Sequence, residues 1–145
     1  MIRVTKSGDA PALQTLCTQL GYDVGLEDIV KRAQGILADP DSELFIYETA
    51  EGQVVGWAHV FGKHLLEGVY AELGGIVVDA QCRGRGIGGL LLKRCEQWAV
   101  AHDYNELRVR SNGKREGAHQ FYLTSGYSCT KWQKVFCRYF IHEKS

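Results

Sequence analysis

The sequence is poor in the features that mark membrane, nucleic-acid and disulfide-stapled proteins. No apolar run approaches the roughly 18 residues needed to span a bilayer. The opening MIRVTKSGDA holds no signal-peptide hydrophobic stretch. Net charge is absent, since 17 Lys plus Arg balance 17 Asp plus Glu in 145 residues. A nucleic-acid binder usually carries a basic surplus, so that partner class is set aside. The five cysteines (Cys17, Cys82, Cys95, Cys129, Cys137) are odd in number and show no CxxC, and the five histidines complete no zinc-ligand spacing. A disulfide framework and a metal site are both disfavoured. The expectation is one cytoplasmic domain, residues 1–145, with reduced thiols, no metal, no nucleic acid and no membrane association.

What is present is a periodic pattern along the whole chain. Ile2–Thr5 alternates as a strand. Asp9 and Pro11 mark a helix start, Leu13, Leu16 and Leu20 share a helix face, and Gly21 ends it. Leu26, Ile29, Val30, Ala33 and Leu37 predict a second amphipathic helix that stops before Pro40. LFIYET and VVGWAHVF flank a turn at Glu51–Gly52 and read as an antiparallel hairpin. KHLLEGVYA reads as a hairpin loop before a strand over 69–78. A glycine loop, a helix over 86–102, the strand ELRVR and a short helix over 116–125 follow. YSCTK and KVFCRYFI read as two closing strands. The order is β-α-α-β-β-β-α-β-α-β-β.

The densest signal is CRGRGIGGLLLKRC, Cys82–Cys95. Each glycine inside a helix costs roughly 1 kcal/mol relative to alanine, so Gly84, Gly86, Gly88 and Gly89 at a helix entrance call for a compensating role. A strand, a glycine loop and a helix N-terminus together suit a phosphate group. The first helical N–H groups point outward unpaired, and glycine lets the backbone approach closely. Arg83 and Arg85 add charge-assisted donors. GRGIGG also fits the dinucleotide pattern GxGxxG, but the following strand ends in Arg110 where a ribose-binding acid is expected. No Gly-Lys-Ser/Thr follows for a P-loop.

Two segments together resemble the GNAT N-acetyltransferase superfamily. Arg83-Gly84-Arg85-Gly86-Ile87-Gly88 is similar to its acyl-CoA signature, and it follows the apolar strand GGIVV. Ala118-His119-Gln120-Phe121-Tyr122-Leu123-Thr124-Ser125-Gly126-Tyr127 is similar to its late tyrosine helix. The resemblance covers essentially the whole chain. It implies an α+β fold with a mostly antiparallel twisted sheet of six to seven strands, about four flanking helices, and a splayed central strand pair that holds acyl-CoA. It further implies that the backbone of Ile76, Val77 and Val78 pairs with the pantetheine arm. The amides of Gly84, Arg85, Gly86, Ile87, Gly88 and Gly89 would hold the pyrophosphate beside Arg83, and Tyr122 would stand near the thioester sulfur as general acid. Many members carry asparagine seven residues before the tyrosine; here that position is Arg115, with Asn112 and Lys114 close by. Asn112 and Arg115 are therefore the cofactor contacts expected from this segment. Some members also dimerise through terminal strands, so a homodimer is possible.

Acetyl transfer from acetyl-CoA to a primary amine needs a proton acceptor, because alkyl amines titrate near about 10.4. Glu72, a lone carboxylate in an apolar strand, is the candidate base, sharing a face with Gly74 and Ile76 unless a bulge intervenes. Trp57 and His59 share one face of the preceding strand and are candidates for the acceptor pocket, with His59 able to relay a proton. Tyr22 and Asp23 lie between the first two helices, where the resemblance implies an acceptor gate, and Asp23 would attract a cationic amine. Polyamine, aminoglycoside-like amine, amino acid and peptide terminus all remain open as acceptors. The alternatives in other classes are a catalytically silent acyl-CoA sensor on the same fold and a nucleotide-dependent oxidoreductase.

Overall fold

The computed structural model describes residues 1–110, 116–131 and 133–141. The chain divides into two compact units, Met1–Arg110 and Ser111–Ser145. The first unit holds one sheet with its five strands in chain order. They are β1 (Ile2–Val4), β2 (Ser42–Glu48), β3 (Val54–Leu65), β4 (Gly68–Val78) and β5 (Leu107–Val109). The first four pair antiparallel, and β5 pairs parallel to β4. A parallel neighbour requires a crossover, and helix α3 (Ile87–Ala101) supplies it. Helices α1 (Ala10–Gln19) and α2 (Leu26–Ala38) join β1 to β2.

Alternation along the strands divides the sheet into two packed faces. Leu44 and Ile46 of β2 meet Ala10 and Leu13 of α1 and Ile29 of α2 on one face. Trp57, which pairs with Ile46, packs against the same cluster. The opposite face receives α3, whose Leu91, Cys95 and Trp98 recur at helical spacing and are buried. A Cβ at Gly56 would lie 3.1 Å from Leu91 and 3.6 Å from Ile87, so glycine lets α3 sit close to β3. Each Leu or Ile buried in this way contributes about 1.5–3 kcal/mol.

In the second unit, helix α4 (Glu116–Thr124) ends in a Schellman turn. Gly126 has φ +92. Its N–H donates to the Leu123 carbonyl, and the Tyr127 N–H donates to the Tyr122 carbonyl at 3.0 Å. The Tyr122 and Tyr127 rings meet edge to face, 6.0 Å apart, which is the apolar contact that accompanies this turn.

Several expectations change. The described residues form five strands where six to seven were expected. Residues 127–131 and 134–141, read as two closing strands, carry no ladder. Val135, Phe136, Tyr139, Phe140 and Ile141 have strand-forming side chains, but all are exposed. A strand exists only through its pairing, which composition does not supply. KHLLEGVYA, read as a loop, is a tight hairpin: Leu65 pairs with Gly68, so Lys63 and His64 belong to β3. Asp9 does not cap α1 with its side chain. Its carboxylate accepts two hydrogen bonds from Arg3, at 2.8 and 3.0 Å, and one from the Lys6 N–H at 2.7 Å. All five cysteines are free thiols, and burial pushes Cys95 up to about 12.

The Arg3 hydrogen bonds hold the Asp9 carboxyl below the usual carboxylate range, tying β1 to the entrance of α1. A depressed carboxyl stabilises the fold above its unfolded value, about 3.9, and this contribution is lost as pH falls through the lower folded value. Asp9→Asn is expected to cost about 2 kcal/mol at neutral pH. Urea unfolding should show the gap to the parent closing below about pH 4; a gap independent of pH would contradict this role.

Candidate active site

β5 accompanies β4 for three residue pairs: Ala71 with Leu107, Glu72 with Arg108, and Leu73 with Val109. Beyond Leu73, β4 continues from Gly75 to Val78 against β3 alone among the described residues. One edge of that stretch keeps its peptide N–H and C=O groups available to an extended ligand, as any strand edge does. Ile76, Val77 and Val78 lie on it.

A bulge sits where the two strands part. Val60 pairs with Leu73 and His59 with Gly75, so Gly74 is the extra residue. This corrects the alternation expected for Glu72. Glu72 shares its face with Phe61, Gly75 and Val77, in register with His59 and Trp57, and not with Gly74 and Ile76. The two glycines have a packing reason. A Cβ on Gly74 would run into the His59 ring, and one on Gly75 would lie 2.7 Å from the Trp57 ring.

The loop after β4 is fixed at its start. The Asp79 N–H donates to the Val55 carbonyl at 2.8 Å, and the Ala80 N–H to the Gln19 side chain at 2.9 Å. Gly84 and Gly86 take φ of +80 and +79, conformations that cost a side-chain-bearing residue about 1–2 kcal/mol. Gly86 caps α3 without a side-chain hydrogen bond, and its carbonyl accepts the Leu90 N–H. The N–H groups of Ile87, Gly88 and Gly89 therefore lack intrahelical acceptors. No atom lies within 4 Å of a Cβ built at Gly84, Gly86 or Gly89. Arg83 and Arg85 are exposed. Open space, unpaired donors and the positive end of a 15-residue helix fit the pyrophosphate of CoA.

The α1/α2 face of the strands carries the remaining polar groups. Glu72 is 8% exposed, in spite of its charge. Arg110 Nε donates to Glu72 Oε1 at 2.8 Å, and Lys63 Nζ stands 3.6 Å from the same oxygen. Arg110 Nη2 donates to the Tyr70 hydroxyl at 3.2 Å, and the Arg108 guanidinium lies over the Tyr70 ring, 3.9 Å from its centroid. His59 stacks on Phe61 at 5.2 Å, and burial pushes its imidazole below the usual range, against the pull of Asp39. His59 and Phe61 also line an open depression of about 510 Å³ with Arg32, Ile36, Asp39 and Ser42. Trp57 Nε1 and His59 Nε2 are buried without a hydrogen-bond partner among the described residues. Burying such a group unpaired costs about 1–3 kcal/mol.

The first unit thus brings together Trp57, His59, Glu72, the 76–78 edge and the glycine loop. Tyr22 and Asp23 are exposed on the α1–α2 loop. Tyr122 lies in the second unit, half-buried on α4 with its ring edge-on to Phe121. Asn112, Lys114 and Arg115 fall outside the described residues. The sequence reading missed Lys63, Arg108 and Arg110 as neighbours of Glu72. The signal was the charged alternation Glu106, Arg108, Arg110, which puts three charges on one side of β5. No three His, Cys, Asp or Glu side chains among the described residues are grouped to hold a metal ion. No helix there is long and apolar enough to cross a membrane.

A β4 edge that β5 leaves unpaired leads into a glycine-started helix, an arrangement that suits an acyl-CoA ligand. Residues 12–127 match the acetyltransferase (GNAT) family. The chain belongs to this family of acetyl-CoA-dependent N-acetyltransferases. It is 28% identical over 135 residues to an aminoglycoside N(6')-acetyltransferase type 1 of Stenotrophomonas maltophilia, covering 90% of this chain and 87% of that one. Its fold is similar to aminoglycoside 6'-N-acetyltransferase AAC(6')-Ih from Acinetobacter baumannii, with TM-score 0.84, 16% identity and coverage of 97% and 98%. It is also similar to AAC(6')-Iy in complex with the bisubstrate analog CoA-S-monomethyl-acetylneamine, with TM-score 0.82, 18% identity and the same coverage.

The bulge packing yields a direct test. Gly74→Ala is expected to displace the His59 ring and destabilise the protein by about 1–3 kcal/mol, the usual cost of overpacking. In a His59→Ala background the same change should cost under about 0.5 kcal/mol, the limit of additivity for uncoupled sites. Chemical denaturation of the four proteins measures the coupling. Equal costs in both backgrounds would mean that the imidazole does not pack on Gly74.

Proposed function

We propose that the chain moves an acetyl group from acetyl-CoA to a primary amine by direct attack in a ternary complex, working as one catalytic domain. The observation that carries this reading is the β4 edge that runs unpaired by β5 into the N-terminus of α3. In the proposal, Ile76, Val77 and Val78 pair with the pantetheine arm. The amides of 84–89 hold the pyrophosphate, assisted by Arg83 and Arg85, and Asn112 and Arg115 supply further contacts to CoA. The amine nitrogen attacks the thioester carbonyl, the new N–C bond forms, and the C–S bond breaks. The thiolate leaves with a proton from the Tyr122 hydroxyl, and the amine gives up its proton to a base.

Glu72 is the proposed base. Both cations meet its Oε1, and Oε2 makes no hydrogen bond among the described residues, so Oε2 is the oxygen assigned to the amine proton. Trp57 and His59 line the acceptor side, with unpaired polar atoms that an acceptor can satisfy. Tyr22 and Asp23 guard its approach from the α1–α2 loop. The Stenotrophomonas maltophilia relative makes an aminoglycoside one candidate acceptor. A silent acyl-CoA sensor would use the same edge and loop without needing Tyr122.

Tyr122→Phe separates these readings, because it keeps the ring and removes only the hydroxyl. The variant is expected to fold, to bind acetyl-CoA with affinity close to that of the parent, and to lose roughly 10²–10⁴ in turnover, the span of a general acid. Steady-state thiol release and calorimetric CoA titration measure the two effects. Turnover within a few-fold of the parent, with chemistry rate-limiting, would remove Tyr122 from the mechanism.

A further inference from the structure

We propose that the acceptor amine carries a carboxylate on the same or the adjacent carbon, bound by Lys63 beside Arg110 while its amine meets Glu72. This rests on the acetyltransferase reading above and narrows its substrate class to amino acids in place of polycations.

The placement follows from the register. Phe61 pairs with Glu72, Lys63 with Tyr70, and Glu72 with Arg108. Cross-strand partners share a face, so Trp57, His59, Phe61, Lys63, Tyr70, Glu72 and Arg108 all lie on one side. The pairing of β5 with β4 ends at Leu73 and Val109, and Arg110 is the first residue past β5.

Among the described residues, Lys63 and Arg110 both approach Glu72, and Arg108 pairs with Glu106. Glu106 binds Arg108 through two contacts of 3.2 Å, and Arg108 also covers the Tyr70 ring. Glu72 takes Arg110 at 2.8 Å. Lys63 is left with a 3.6 Å approach to an oxygen already engaged, and its ammonium makes no hydrogen bond among the described residues. Its side chain is one-third exposed, so the three N–H donors are reachable. A second carboxylate would supply the missing acceptor.

The spacing suits a zwitterion. Lys63 and Glu72 stand 3.6 Å apart, and a carboxylate and an amine on the same or adjacent carbons can meet both at once. A polyamine or an aminoglycoside instead brings several positive charges to a face where Lys63 and Arg110 already stand. Like charges brought together this way act against the wrong partner.

The test uses matched pairs: phenylalanine with phenethylamine, leucine with isoamylamine, and lysine with cadaverine, with kanamycin as the polycation. Thiol release from acetyl-CoA gives kcat/KM for each at equal concentration of neutral amine. At least one amino acid should exceed its decarboxylated partner and kanamycin by roughly tenfold, the scale of one charge-assisted hydrogen bond. Lys63→Met should erase that preference through KM, and Lys63→Arg should restore most of it. Acetyl-CoA affinity should be the same in all three proteins. Equal or better turnover with the decarboxylated amines or kanamycin would overturn the proposal while leaving the enzyme intact, and so would a preference unchanged in Lys63→Met. Calorimetry of each amine against the CoA-saturated protein separates the two readings. Lys63-dependent amino-acid binding with no thiol release would uphold the charge reading and sink the catalytic one. Neither binding nor turnover with any amino acid would overturn the proposal outright.

Discussion

Strand β5 pairs with β4 for three residues and then leaves it, and the site depends on that short pairing. A longer β5 would fill the edge of β4 with backbone hydrogen bonds and close the place where an extended acyl chain can lie. Because β5 stops at Val109, the 76–78 peptide groups keep one side open among the described residues and lead directly into the loop that starts α3. The bulge at Gly74 marks the same point. It rotates the strand so that Glu72 lines up with His59 and Trp57 and turns the following residues toward the loop. Without glycine at 74 and 75, the imidazole and indole could not fold over the strand.

The fold was legible wherever side-chain period reports burial. α1, α2 and the β2–β3 hairpin stand within a few residues of where the apolar spacing puts them. The glycine loop was legible too, since Gly84 and Gly86 both adopt the left-handed conformation that only glycine takes cheaply. Three features were not. The bulge breaks the two-residue period, and nothing in ELGGIVV says whether its glycines relieve a turn or make way for rings from β3. The hairpin at Leu66–Glu67 lacks the Asn-Gly or Asp-Gly that announces a tight turn. The segment 134–141 has the composition of a strand and no ladder, because pairing depends on a neighbour that the segment itself does not encode.

The chemistry of the site is a balance between one buried carboxylate and the cations around it. Glu72 stood out in sequence as a charge in an apolar strand, which identified the residue but not its surroundings. The structure adds Arg110 at 2.8 Å and Lys63 at 3.6 Å. Those neighbours let the carboxylate be buried at tolerable cost, since an ionised group out of water needs a partner. They also place two cations beside Glu72 that family membership alone does not specify. Sites on one fold diverge in their charged linings far more readily than in the backbone that positions them. Family membership gives acetyl-CoA as the donor and leaves the acceptor to the charged lining.

The central claim is that acetyl-CoA lies along the open edge of β4 with its pyrophosphate at the start of α3. Amide hydrogen exchange, resolved residue by residue by NMR, tests it most directly. On saturation with acetyl-CoA, edge amides within Ile76–Val78 and the N–H groups of Ile87, Gly88 and Gly89 should gain protection together, while the β1–β2 amides stay as they were. Unchanged exchange at both segments, in a protein shown by calorimetry to bind acetyl-CoA, would contradict the account.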